Sequence, residues 1–104
     1  MSNNLIVDKL EGVKARFVEV GELLTKPDVL SDMERYIKLN KEYKDLQPII
    51  EAYEDYKLTL TNISSTKELL ATEKDEEMRE MAKAELEELM SKLPEMEEEI
   101  KLLL

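Results

Sequence analysis

Apolar side chains in this 104-residue chain return at steps of three and four residues over almost its whole length. A period near 3.6 lines them along one face of an α-helix, whereas a strand turns its side chains over every second residue and cannot use the same pattern. The clearest stretch is Asp75 to Leu104, where Ala82, Leu86, Leu89, Leu93, Met96, Ile100 and Leu103 alternate steps of four and three. This heptad stripe extends over about 45 Å of helix. It runs out on Lys101-Leu102-Leu103-Leu104 without the Gly or Asn that commonly closes a helix, so the chain is expected to be the front piece of a longer one.

Upstream, Ile6, Leu10, Val13, Phe17, Val20 and Leu24 predict a first helix from about Asn4 to Thr25. Gly12 and Gly21 fall inside it, each weakening an exposed helix by about 1 kcal/mol relative to Ala. Close packing and local weakness both remain open as reasons for them. Lys26-Pro27-Asp28 breaks the pattern, because Pro disfavours helix at the residue before it and Asp suits a turn. Ser31 with Glu34 three residues on has the form of a capping box and predicts that the second helix starts there.

The second stripe is Tyr36, Leu39, Tyr43, Leu46, Ile50, Tyr53 and Leu60, with Lys57 standing where an apolar residue is expected. Pro48 lies on the outer face and the stripe keeps its phase on both sides, which predicts a kink and not a stop. Pro94 repeats the device in the last helix. Polar Thr61, Asn62, Ser64 and Ser65 dilute the pattern and predict the end of the long helix, with a short helix over Thr66 to Ala71. Asp75 then caps the last helix, with Glu76 and Glu77 at the positive end of its dipole. The expected fold is all-α, a single domain over residues 1–104 built as an elongated antiparallel bundle of three long helices plus one short helix. Short connections make the second and last helices a hairpin with the first packed beside them.

Composition agrees, with only 2 Gly, 3 Pro and 5% aromatics against 38% charged residues, the balance of long helices and not of a sandwich or a βαβ unit. The absence of Cys and His excludes disulfides, thiolate or imidazole zinc sites and any Ser-His or Cys-His pair. No apolar run reaches the length of a membrane span, and Met1-Ser2-Asn3-Asn4 does not open a secretory signal, so a cytoplasmic chain is expected. Net charge is −10, divided as −1 over residues 1–47 and −9 over residues 48–104. The acidic distal half disfavours phosphate backbones and points to protein partners over nucleic acid.

Candidate chemistry is sparse. Glu95, Glu97, Glu98 and Glu99 form the densest carboxylate cluster, but successive helical positions point in different directions and cannot surround one ion. Gly12 and Gly21 are isolated within a helix and encode no phosphate-cradling loop. Arg35, Lys38, Lys41 and Lys44 recur every third residue, a spacing that drifts about 60° per step and spirals instead of making a flat basic patch. Tyr36, Tyr43 and Tyr53 lie on the stripe as core residues and Tyr56 stands aside from it. Met78, Met81, Met90 and Met96 read as core filler by their helical spacing. No catalytic, cofactor-binding or metal-binding residue is assigned.

Several segments together resemble a known family. Glu77-Met78-Arg79-Glu80-Met81-Ala82 and the Glu- and Leu-rich helix that ends Leu102-Leu103-Leu104 are similar to the bacterial class-one peptide chain release factor that reads UAA and UAG. Glu42-Tyr43-Lys44-Asp45-Leu46 and the Lys26-Pro27-Asp28-Val29 break resemble the same family at the same spacing, so the likeness covers the whole chain. One departure is Glu73-Lys74-Asp75-Glu76, where the family commonly has a proline in the turn and Asp75 can cap without it. The resemblance implies the N-terminal helical domain of a translation termination factor, without the stop-codon-reading tripeptide or the Gly-Gly-Gln peptidyl-tRNA hydrolysis motif. It implies docking at the ribosomal stalk base, the remaining domains of the parent factor as further partners, no cofactor and no catalytic residue to carry over. A free-standing coiled-coil adaptor is the alternative.

Overall fold

The computed structural model describes residues 4–104, and among them there is no strand. Helix α1 spans Leu5–Leu23, α2 Pro27–Leu30, α3 Met33–Thr72 and α4 Glu76–Leu103. The molecule is a rod of 64 × 25 × 23 Å. Its axis is α3, whose 40 residues cover about 60 Å at the helical rise.

Both flanking helices run antiparallel to α3. Along α1, Asn4 meets Tyr56 and Phe17 meets Tyr43. Along α4, Arg79 meets Leu70 and Glu97 meets Tyr56. Helix α1 therefore starts near the middle of α3 and runs to its N-terminal end, whereas α4 starts at the C-terminal end and returns to the middle. At about 28 Å and 42 Å they are together longer than α3, so the start of α1 and the end of α4 overlap for a few turns. At this waist the three long helices pack side by side.

Burial follows that geometry. Leu10 of α1, Tyr53 and Tyr56 of α3 and Ile100 of α4 form the waist core, with Ile6, Val7, Ile49, Ala52, Leu60, Leu93 and Met96 packed around it. A second core at the proximal end joins Val20, Val29 and Leu39 to Leu23, Leu24, Tyr36 and Tyr43. The distal hairpin of α3 and α4 is two helices thick and buries Ile63, Thr59, Thr66 and Ala82.

Three expectations need correcting. The break after the first helix is itself a turn of helix: Pro27 takes the first position of α2, where its missing N–H costs nothing, and Val29 drops fully buried into the proximal core. Ser31 closes α2, its hydroxyl donating to the Asp28 carbonyl, so it does not cap the next helix. The cap is Asp32, in extended conformation at φ −110° and ψ 93°, accepting from the Arg35 amide at 3.2 Å.

The long helix also does not end at Thr61 to Ser65, and Thr66 to Ala71 is not a separate helix, since α3 continues to Thr72. Thr59 and Thr66 turn their hydroxyls back to the carbonyls of Asp55 and Asn62, at 3.0 and 2.8 Å. With the polar atom satisfied inside its own helix, each threonine can be buried as an apolar residue would be. Helix α3 passes through Pro48, and α4 through Pro94, without ending. Asp75 caps α4 as expected, its carboxylate accepting from the amides of Glu77 and Met78.

Candidate functional site

The chemistry-bearing side chains gather in three places, each set by where α1 or α4 lies on α3. Near the proximal end, Arg16 spans from α1 to α3. Its Nε and Nη2 donate to the two carboxylate oxygens of Glu42 at 2.7 Å each, and Nη1 reaches Glu19 on its own helix. Such a two-pronged bond fixes position as well as charge. The guanidinium holds the Glu42 carboxyl below its ordinary range, and the carboxylates raise Arg16 in return. Beside it, Phe17 and Tyr43 stack at 4.4 Å between centroids with ring planes 16° apart. A Cβ on Gly21 would meet the Tyr43 ring at 3.2 Å, while one on Gly12 would meet nothing within 4 Å. Close packing thus accounts for Gly21 and not for Gly12.

At the waist, Tyr53 is fully buried and its hydroxyl donates to Glu11. Lys57 lies 3.7 Å from Glu11 and 5.0 Å from the Tyr53 ring centre, and Lys14 pairs with Glu54 at 3.1 Å. The Tyr53 hydroxyl and the two lysines lower Glu11, whereas burial and the neighbouring carboxylate raise Tyr53. Hydrogen bonding and attraction to Glu54 raise Lys14. Lys57 is therefore a surface cation lying across an aromatic face and not a defect in the stripe.

The third place is Tyr56, which sequence reasoning set aside and the structure buries completely. After Tyr53 the stripe takes two successive steps of three, to Tyr56 and Thr59, and then continues through Ile63, Thr66 and Leu70 towards α4. The heptad extrapolated from α1's side arrived at Lys57 instead. The missed signal was the phase of Ile63 and Leu70, read backwards. The Tyr56 hydroxyl accepts from Asn4 Nδ2 at 2.9 Å and donates to Glu97 at 2.7 Å, and burial raises its pKa.

The other candidates disperse. Glu97 turns inward, Glu98 pairs with Lys101 at 3.5 Å, and Glu95 and Glu99 face solvent. Among the described residues no group of three or more acids is brought together to hold a metal ion. Arg35 pairs with Asp28 at 3.2 Å, Lys38 with Glu34 at 3.7 Å and Lys41 with Asp45 at 3.0 Å, with Lys44 exposed. These pairs fit ordinary surface pairing. Met96 packs at the waist as expected, but Met78, Met81 and Met90 are 45%, 68% and 48% exposed. They sit off the Ala82–Leu86–Leu89–Leu93 line, which is the less exposed side of this stretch of α4. With exposed Leu69, Met78 and Met81 leave the distal tip partly apolar, rimmed by Glu73, Glu76, Glu77 and Glu80. The Thr25, Ser31, Thr59, Thr66, Thr72 and Ser91 hydroxyls donate to carbonyls of their own helical segments, so none is poised beside a base. Among the described residues, the side chains singled out above are engaged in pairs and caps that hold the helices or lie on their surface.

A sequence profile of the PCRF domain matches residues 13–104. The chain is 50% identical over 104 residues to peptide chain release factor 1 of Parabacteroides distasonis, covering 100% of this chain and 28% of that protein. It is 50% identical over 102 residues to peptide chain release factor 1 of Bacteroides fragilis, which is 98% of this chain and 28% of that protein. The same factor of Cytophaga hutchinsonii is 52% identical over 99 residues, 95% of this chain and 28% of that protein. The chain thus spans little more than a quarter of the length of these relatives. No solved structure matches it. Both the profile and the relatives agree with the resemblance carried by the segments around Lys26, Glu42 and Glu77, and the chain belongs to the PCRF domain family.

Proposed function

We propose that this chain is the N-terminal, ribosome-docking domain of a bacterial translation termination factor, acting in the cytoplasm where ribosomes are. The observation that carries this reading is similarity at about half of all positions, along the whole chain, to peptide chain release factor 1 of several bacteria. Neither the stop-codon-reading tripeptide nor the Gly-Gly-Gln motif of the family is among these residues. On this reading the domain positions the factor while other parts of it decode and hydrolyse, and by itself it catalyses nothing.

The stalk base is the proposed contact, through protein more than RNA. A charge of −9 over residues 48–104 supports this, because phosphate would be repelled from the distal rod. A coiled-coil adaptor is not favoured: the stripes that would have joined separate chains are covered by one another within this one. Co-sedimentation with ribosomes tests the proposal. The chain is expected to pellet with intact ribosomes and to be lost when the stalk-base protein is removed. Undiminished binding to such depleted ribosomes would overturn the contact.

A further inference from the structure

We propose that Asn4, Tyr56 and Glu97 form a latch that couples the start of α1 to the last turns of α4 through one buried hydroxyl. Asn4 is the N-cap of α1, its Oδ1 accepting from the amides of Ile6 and Val7 at 3.1 Å each. Those amides can only donate, so they fix the oxygen and leave Nδ2 as the group facing Tyr56. Nδ2 donates to the Tyr56 hydroxyl at 2.9 Å, and that hydroxyl donates onward to Glu97 at 2.7 Å. Tyr56 is 0% exposed. A hydroxyl in such a place must find partners or forfeit its hydration, and both partners here belong to helices other than its own.

The pattern explains residue choices that capping and packing alone leave free. Asp would cap α1 as well as Asn does but offers no donor to Tyr56, and Ser or Thr would have to serve both from a single oxygen, whereas Asn accepts through Oδ1 and donates through Nδ2. A phenylalanine would fill the waist as well as Tyr56, but it would leave α1 and α4 touching only through sliding apolar contacts such as Leu10 and Ile100. With the latch closed, the direction in which α4 leaves the waist depends on how α1 is seated. By linkage the dependence runs equally in reverse.

Amide hydrogen exchange on the whole chain, read residue by residue, tests the latch. Asn4→Asp keeps the cap acceptor, removes the donor and sets a second carboxylate towards Glu97. The amides of Met96 to Lys101, which Asn4 does not touch, are expected to exchange about tenfold faster, the size of one lost buried bond. The increase is expected to vanish in the Tyr56→Phe background, whose ring still fills the core. Glu97→Gln retains an acceptor and should stay near wild type, whereas Glu97→Ala should speed Asp8 to Gly12. Unchanged α4 exchange in Asn4→Asp overturns the proposal. So does an increase of equal size with Tyr56→Phe, which would assign the coupling to packing.

Discussion

At the scale of single residues, the two glycines of α1 make opposite predictions from the same chemistry. Gly12 faces open space, so Gly12→Ala is expected to stabilise the chain by about 0.5–1 kcal/mol through reduced backbone entropy and better helix propensity. At Gly21 the same gain is opposed by a Cβ placed 3.2 Å from Tyr43, whose ring is held by the stack on Phe17. Gly21→Ala is expected to gain nothing or to destabilise, and urea unfolding of the two variants measures the difference. Glu42 supplies a pH test. Its folded pKa lies below the ordinary 4.5, so its stabilising bond with Arg16 is fully present above that value and is lost as pH falls through the depressed one. The gap in thermal midpoint between the wild type and Glu42→Gln should therefore be widest at neutral pH and close in acid. A gap independent of pH would mean the ion pair contributes nothing. None of this was legible in the sequence, because Arg16 and Glu42 lie 26 positions apart and nothing local marks them as partners.

At the scale of elements, the long helix shows where a periodic reading works and where it stops. The existence of all three long helices, the cap at Asp75 and the passage through Pro48 and Pro94 follow from spacing, since each depends on neighbours within a turn or two. The change of phase at Tyr53 does not, because it occurs where the partner of α3 changes from α1 to α4. A stripe records which side is covered, and two coverings from different sides produce two phases. The polar look of Thr61 to Ser65 misled for a related reason: Thr61, Asn62, Ser64 and Ser65 lie on the exposed side of α3, while the buried Thr59 and Thr66 satisfy their hydroxyls within the helix. Thr66→Val is accordingly expected to stay within about 1 kcal/mol of wild type, since it removes no cross-helix bond. Ile63→Ala should cost about 2 kcal/mol or more, while Leu58→Ala, at a position 59% exposed, should cost little. Thermal unfolding of the three variants separates this stripe from the one that continues through Lys57. Equal losses at Leu58 and Ile63 would contradict it.

At the scale of the whole molecule, a single α3 carries two helices end to end, so the rod is strong at the waist and thin towards the distal tip. Charge follows length, close to neutral over the first 47 residues and −9 beyond. Fold class and antiparallel order could be read from the chain, but the overlap of α1 and α4 could not, since it depends on where each helix seats on the third. A rod of 64 Å has the shape of the docking arm proposed above. The most direct test is stop-codon-dependent peptide release by a full-length factor with and without residues 1–104. Docking predicts that the deletion raises the factor concentration needed for half-maximal release and leaves the rate at saturation close to that of the intact factor. An unchanged concentration dependence, or a loss confined to the saturating rate, would contradict a docking role.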